Sequence, residues 1–93
     1  MLEGQAVKAA PTGDAVRIEY CVSCGFLGQA TSLASSVLND FAERLPGGVI
    51  VVAGEEGSFE VYFNDRLVFS MLDKARFPNP DEVETKLGAL LSN

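Results

Sequence analysis

The chain runs Val16-Arg17-Ile18-Glu19-Tyr20-Cys21-Val22-Ser23-Cys24-Gly25-Phe26 and continues LGQATSLASSVLNDFAERLPGG over residues 27–48. Val16 to Tyr20 alternates apolar and polar residues, the period of a strand with one buried face. After the two cysteines the period changes. Phe26, Ala30, Leu33, Val37 and Phe41 recur at spacings of three and four, with Leu27, Ala34, Leu38 and Leu45 beside them. That pattern predicts a long amphipathic helix. Pro46-Gly47-Gly48 ends it and turns the chain. A strand that passes into a helix through C-x-x-C is the junction from which both fold and chemistry can be read.

Working outward, Val49 to Ala53 is apolar without alternation, as expected of a strand covered on both faces. The loop Gly54-Glu55-Glu56-Gly57 leads to a strand at Ser58–Phe63, in which Phe59, Val61 and Phe63 share a face. Asn64-Asp65 predicts a two-residue hairpin turn, and Arg66–Ser70 returns. Residues 71–78 read as irregular. Asn79 as N-cap, Pro80 at the first helical position and Glu82 at the third then predict a capping-box helix start. Val83, Leu87, Leu90 and Leu91 form its buried stripe. Residues 1–14 show no sustained period and read as a flexible leader to a single domain at 15–93.

The element order is therefore β-α-β-β-β-α. A compact strand–helix–strand unit favours a parallel pair with a right-handed crossover, and the hairpin adds antiparallel strands. The result is an α/β (α+β) domain with a four-stranded mixed sheet, the minimal thioredoxin-like layout. In that strand order the second and third strands flank the first. The Gly54–Gly57 link must then cross the end of the first strand, which brings Glu55 and Glu56 towards Cys21. Carboxylates there would oppose thiolate formation and disfavour anionic partners. Both would matter little if they point into water on a plain turn.

Composition narrows the function classes. At 93 residues the chain has room for one core and one site. Seven Lys and Arg against thirteen Asp and Glu give a net charge of −6, which argues against nucleic acid and against anionic membrane surfaces. No apolar run approaches the ~20 residues of a membrane span, and the first residues lack the pattern of a secretory signal. We therefore expect a cytoplasmic monomer. Histidine is absent, which removes Ser-His-Asp and Cys-His nucleophilic sites, histidine metal sites and the usual near-neutral base. Zinc would find two thiolates and a half-empty coordination shell, so no metal or cofactor is expected. Two cysteines are too few for the disulfide framework of a small secreted domain, so their spacing carries the signal.

The string Tyr20-Cys21-Val22-Ser23-Cys24-Gly25-Phe26 resembles the active-site segment of the selenoprotein W/T/H group, the Rdx family. Gly57-Ser58-Phe59-Glu60-Val61, Leu67-Val68-Phe69-Ser70 and Phe77-Pro78 are similar to further segments of that family in the same order. The likeness extends from about Val16 to about Leu91. It implies a thioredoxin-like fold and thiol redox chemistry with protein thiols, glutathione or thioredoxin-type partners. Selenoprotein members carry selenocysteine at the position of Cys24, so selenium chemistry is not implied for this sulfur. Thioredoxins have a cis-proline where this chain has Gly57-Ser58, which puts peptide docking of the thioredoxin type in question.

A cysteine at a strand end and another in the first helical turn can bring their Cα atoms within the ~4.4–6.8 Å that a disulfide needs. The helix N-terminus stabilises a thiolate, and the thiolate is the attacking species. By analogy with thioredoxin, Cys21 is expected to attack and Cys24 to resolve. The plainer reading makes the pair buried and inert. Gly25 and Gly28 either expose the sulfurs to a partner or relieve a tight helix–sheet junction. Tyr20 borders a docking groove or is half-buried core. Phe26 and Phe77 flank irregular segments near the cysteines and, with Gly57 and Ser58, complete the candidate partner-binding set. Two functions stay open: a thiol–disulfide exchanger, or a binding adaptor whose docking surface is switched by the Cys21–Cys24 disulfide.

Overall fold

The computed structural model describes residues 13–92, so most of the leader expected at 1–14 lies outside the described residues. Strand β1 (Ala15–Tyr20) leads through a turn to helix α1 (Leu27–Phe41) and a short 3-10 turn (Ala42–Arg44). Strands β2 (Gly48–Ala53), β3 (Phe59–Phe63) and β4 (Arg66–Ser70) follow, then a one-turn helix α2 (Met71–Lys74) and helix α3 (Glu82–Leu91). The sheet order is β2-β1-β3-β4, with β1 parallel to β2 and antiparallel to β3, and β3 antiparallel to β4. This is the thioredoxin-like arrangement, with β1 central.

The alternation of β1 resolves into two faces. Val16 and Ile18 are fully buried and join Val61, Phe59 and Phe69 in one cluster with Ala30 and Val37 of α1 and Val83 and Leu87 of α3. Burial of each large side chain in that cluster contributes roughly 1.5–3 kcal/mol. Both helices thus cover the same face of the sheet. On the other face Arg17 pairs with Glu19 at 2.9 Å and stacks over the Tyr62 ring at 4.3 Å. The expectation of a β2 covered on both faces is therefore corrected. β2 is an edge strand: Val49 and Val51 pack on the core, while Ile50 between them is exposed. A continuous apolar run looks alike in a central strand and in an edge strand with one residue facing water.

Three local readings also change. The long helical pattern breaks at Phe41 into the 3-10 turn ahead of Pro46. The stretch read as irregular holds α2, whose N-cap Ser70 accepts the Asp73 backbone N–H at 3.1 Å. Helix α3 begins at Glu82, because Asp81 adopts a left-handed conformation (φ 66°). Half of the expected capping box is present even so: the Glu82 carboxylate accepts the Asn79 backbone N–H at 2.9 Å. At the hairpin, Asn64 takes φ 56°, and a register shift in the β3–β4 pairing at Val61/Tyr62 accompanies burial of Val68.

Candidate functional site

β1 delivers Cys21 to the centre of one sheet edge. Its backbone N–H donates to the Ser58 carbonyl at 2.9 Å, which extends the β1–β3 ladder by one residue. Gly54 N–H donates to the Tyr20 carbonyl at 2.7 Å from the other side. The Gly54–Gly57 loop therefore straddles the end of β1, as the strand order requires. The approach is close: a Cβ at Gly54 would stand 2.6 Å from Ser58 Oγ and 3.0 Å from Glu19 Cβ. Glu55 and Glu56 are both exposed at the crest of the loop.

Cys24 lies in the turn between β1 and α1, ahead of the first helical residue Leu27, and not in the first helical turn as expected. Gly25 has φ +78°, the left-handed region in which an L side chain is strained, and its N–H bonds to the Val22 carbonyl at 3.0 Å. This turn folds Cys24 back over Cys21. Their Cα atoms are 5.3 Å apart and the two sulfurs form a disulfide. The Cys24 backbone N–H points at Cys21 Sγ at 3.2 Å, and Ser23 Oγ lies 3.5 Å from the same sulfur. In the reduced protein these groups would stabilise charge on Cys21 Sγ, so the immediate electrostatic support comes from the turn.

Accessibility runs opposite to the thioredoxin-based expectation. Cys21 is 1 % exposed, whereas Cys24 is exposed. The residue left open to solvent is the second one.

The remaining candidates divide. Gly25 and Gly28 are not tight junctions, since a Cβ at either would meet no heavy atom within 4 Å. Tyr20 is half-buried against the core. Phe26 and Phe77 meet edge-on with centroids 4.8 Å apart, and Phe77 meets Phe59 at 5.2 Å, so this aromatic stack ties the cysteine turn to the segment before α3. Ser58 adjoins Cys21 through the ladder bond, and Gly57 precedes it in the chain. Ser58 Oγ is buried without a hydrogen-bond partner.

Sequence reasoning missed α2 and what holds it. Glu60 is 6 % exposed and its carboxylate accepts the Leu72 N–H at 3.2 Å. Leu72 is 52 % exposed, and its Cδ2 would lie 3.9 Å from a Cβ at Gly57, which sets an apolar side chain beside the site. Ser70-x-x-Asp73 is a helix-start signal that could have revealed the turn. Between α1 and the Phe77–Asp81 segment runs a groove of about 630 Å³, lined by Gly28, Ser32, Phe77, Pro78, Asp81 and Glu84 among others.

At the far end of that segment Glu82 accepts Arg76 Nη1 at 2.8 Å and Nη2 at 3.1 Å. The Arg76 bonds, then the Asn79 N–H, hold its carboxyl down at a pKa of about 2.

A mixed sheet with a dithiol at the central strand–helix junction defines a thioredoxin-like protein with a thiol redox-type site. Family comparison agrees: the Rdx family model matches residues 15–89, and the chain belongs to the Rdx family. The chain is 44% identical over 69 residues to migration and invasion enhancer 1 of Bos taurus, and 40% identical over 70 residues to the Mus musculus protein of that name. These matches cover 71% and 74% of this chain but only 56% and 57% of those relatives' length. Among solved structures, a Bordetella parapertussis protein superposes with a TM-score of 0.77 at 25% identity, covering 85% of this chain and 96% of that one. A selenoprotein W-related protein from Vibrio cholerae gives 0.75 at 18% identity, covering 86% and 99%, a likeness of fold.

Proposed function

We propose that the protein is a monomeric, cytosolic thiol–disulfide exchanger in which Cys24 meets the partner and Cys21 resolves. The observation that carries this reading is the pairing of an exposed Cys24 with a buried Cys21 whose sulfur receives the Cys24 N–H. In the reduced protein the Cys24 thiolate attacks a partner disulfide. The partner S–S bond breaks, one partner thiolate leaves, and a Cys24–partner disulfide forms. The Cys21 thiolate then attacks Cys24 Sγ, the mixed disulfide breaks and the second partner thiolate leaves. The two protons given up by the protein thiols go to the two partner thiolates. The partner disulfide gains two electrons, and the Cys21–Cys24 pair loses them. In the reverse direction a partner thiolate enters at exposed Cys24 and Cys21 departs as the stabilised thiolate, which speeds departure.

Trapping tests the order. With a disulfide substrate, Cys21→Ser should hold a stable mixed disulfide at Cys24, while Cys24→Ser should react slowly because its remaining thiol is covered. The reverse pattern would restore Cys21 as the attacking group. Absence of any exchange in the unmodified chain would remove the redox reading. A coupled reductase assay separates repeated turnover from one stoichiometric oxidation, the behaviour of a redox-switched adaptor.

A further inference from the structure

We infer that the partner is a protein segment with an apolar residue beside its reacting cysteine and basic residues further along, and not glutathione. This rests on the exchange reading above. Among the described residues six large apolar side chains are exposed; Val22 and Leu27 lie in and just after the cysteine turn, and Leu72 lies beside Gly57, where an added Cβ would stand 3.9 Å from its Cδ2. Such clustering beside one reactive sulfur marks a surface that meets another macromolecule. A small polar peptide leaves it wet.

The surface continues into the groove. Gly28 lies four residues beyond Cys24, at most ~14 Å along an extended chain, and opens directly onto it. Phe77 and Pro78 form an apolar wall, and Asp81 and Glu84 supply charge. Among the described residues no lysine or arginine lines the groove. The nearest cation along the chain before it, Arg76, is already paired with Glu82. Glu84 accepts from Ser36 at 2.6 Å and keeps its charge in place between α1 and α3, whereas Asp81 is exposed. A chain lying here meets an apolar stretch and then two carboxylates. Lysine or arginine complements them; the carboxylates of glutathione do not. A second copy of this chain is disfavoured for the same reason, since each carries −6.

The test uses the full chain, reduced, and follows oxidation of Cys21–Cys24 by mass. Three short peptides carry one cysteine as the mixed disulfide with uncharged 2-mercaptoethanol: Leu-flanked with Lys-Arg, Leu-flanked with Glu-Glu, and polar neutral. Glutathione disulfide and hydroxyethyl disulfide complete the set. The Leu/Lys-Arg peptide should react about tenfold faster than the acidic one, with the gap closing as salt rises. It should also outrun the polar peptide and glutathione disulfide. In Asp81→Asn/Glu84→Gln the preference should shrink towards unity; asparagine tolerates the left-handed backbone at 81, and Glu84→Gln keeps an oxygen for Ser36. Equal rates for all peptides and glutathione disulfide, with brisk exchange, would overturn this inference and leave the redox reading standing. A preference unchanged in the double variant would also overturn it. Failure with every disulfide, hydroxyethyl disulfide included, would remove both.

Discussion

Two glycines three positions apart should respond to the same substitution with opposite signs. A Cβ at Gly25 or at Gly28 has empty space around it, so packing does not distinguish them. Backbone conformation does. Gly25 has φ +78°, whereas Gly28 is in the first turn of α1. Alanine in the left-handed region costs about 1–2 kcal/mol. Its lower entropy in the unfolded chain returns about 0.4–1 kcal/mol. Gly25→Ala should therefore lose about 1 kcal/mol. Gly28→Ala meets no strain and gains helix propensity, up to ~1 kcal/mol in a helix interior and less this near the end. For a domain of this size 1 kcal/mol moves Tm by about 4–8 °C. Thermal and denaturant unfolding of the two variants, each fully oxidised, should give a lower midpoint for Gly25→Ala and a higher one for Gly28→Ala. Shifts in the same direction would refute the argument that conformation, and not room, retains these glycines. Because Gly28 also lines the groove, the stabilised variant should exchange more slowly with the Leu/Lys-Arg peptide.

Ser58→Ala removes a buried hydroxyl that has no partner and should raise stability by up to ~1 kcal/mol in denaturant titrations; a loss of more than that would mean the hydroxyl is bonded. Glu82 has a folded pKa of about 2 against an unfolded value near ~4.3, so its contribution is complete above about pH 4.5 and disappears as pH falls towards 2. Wild type minus Glu82→Gln stability should follow that curve, and a difference independent of pH across this window would reject the assignment. Replacing both exposed crest residues, Glu55→Gln and Glu56→Gln, should lower the apparent pKa of thiol alkylation, with the shift shrinking as salt rises. Superimposable alkylation profiles would place both carboxylates in water without effect on the sulfurs.

The order of the four strands and the two longer helices, the mixed sheet and the dithiol junction were legible in the sequence because each depends on short-range periodicity or adjacency. Val16 and Ile18 alternate because a strand does, Ala30 and Val37 recur because a helix does, and Cys21 follows a strand end because the period changes there. Even the loop across β1 followed from strand order and the reach of four residues. Other properties belong to the folded whole. An apolar β2 gives no sign of which side is left open; that depended on both helices packing against the same face. Two cysteines three positions apart look equivalent on paper. Cys21 is covered where the end of β1 passes between Ser58 and Gly54, and Cys24 is exposed because it lies in the turn ahead of α1 that Gly25 folds back. The groove is built from α1 and a segment some fifty residues later, joined by Phe26 and Phe77. Burial and accessibility are sums over contacts between distant parts of the chain, and a local pattern cannot contain them.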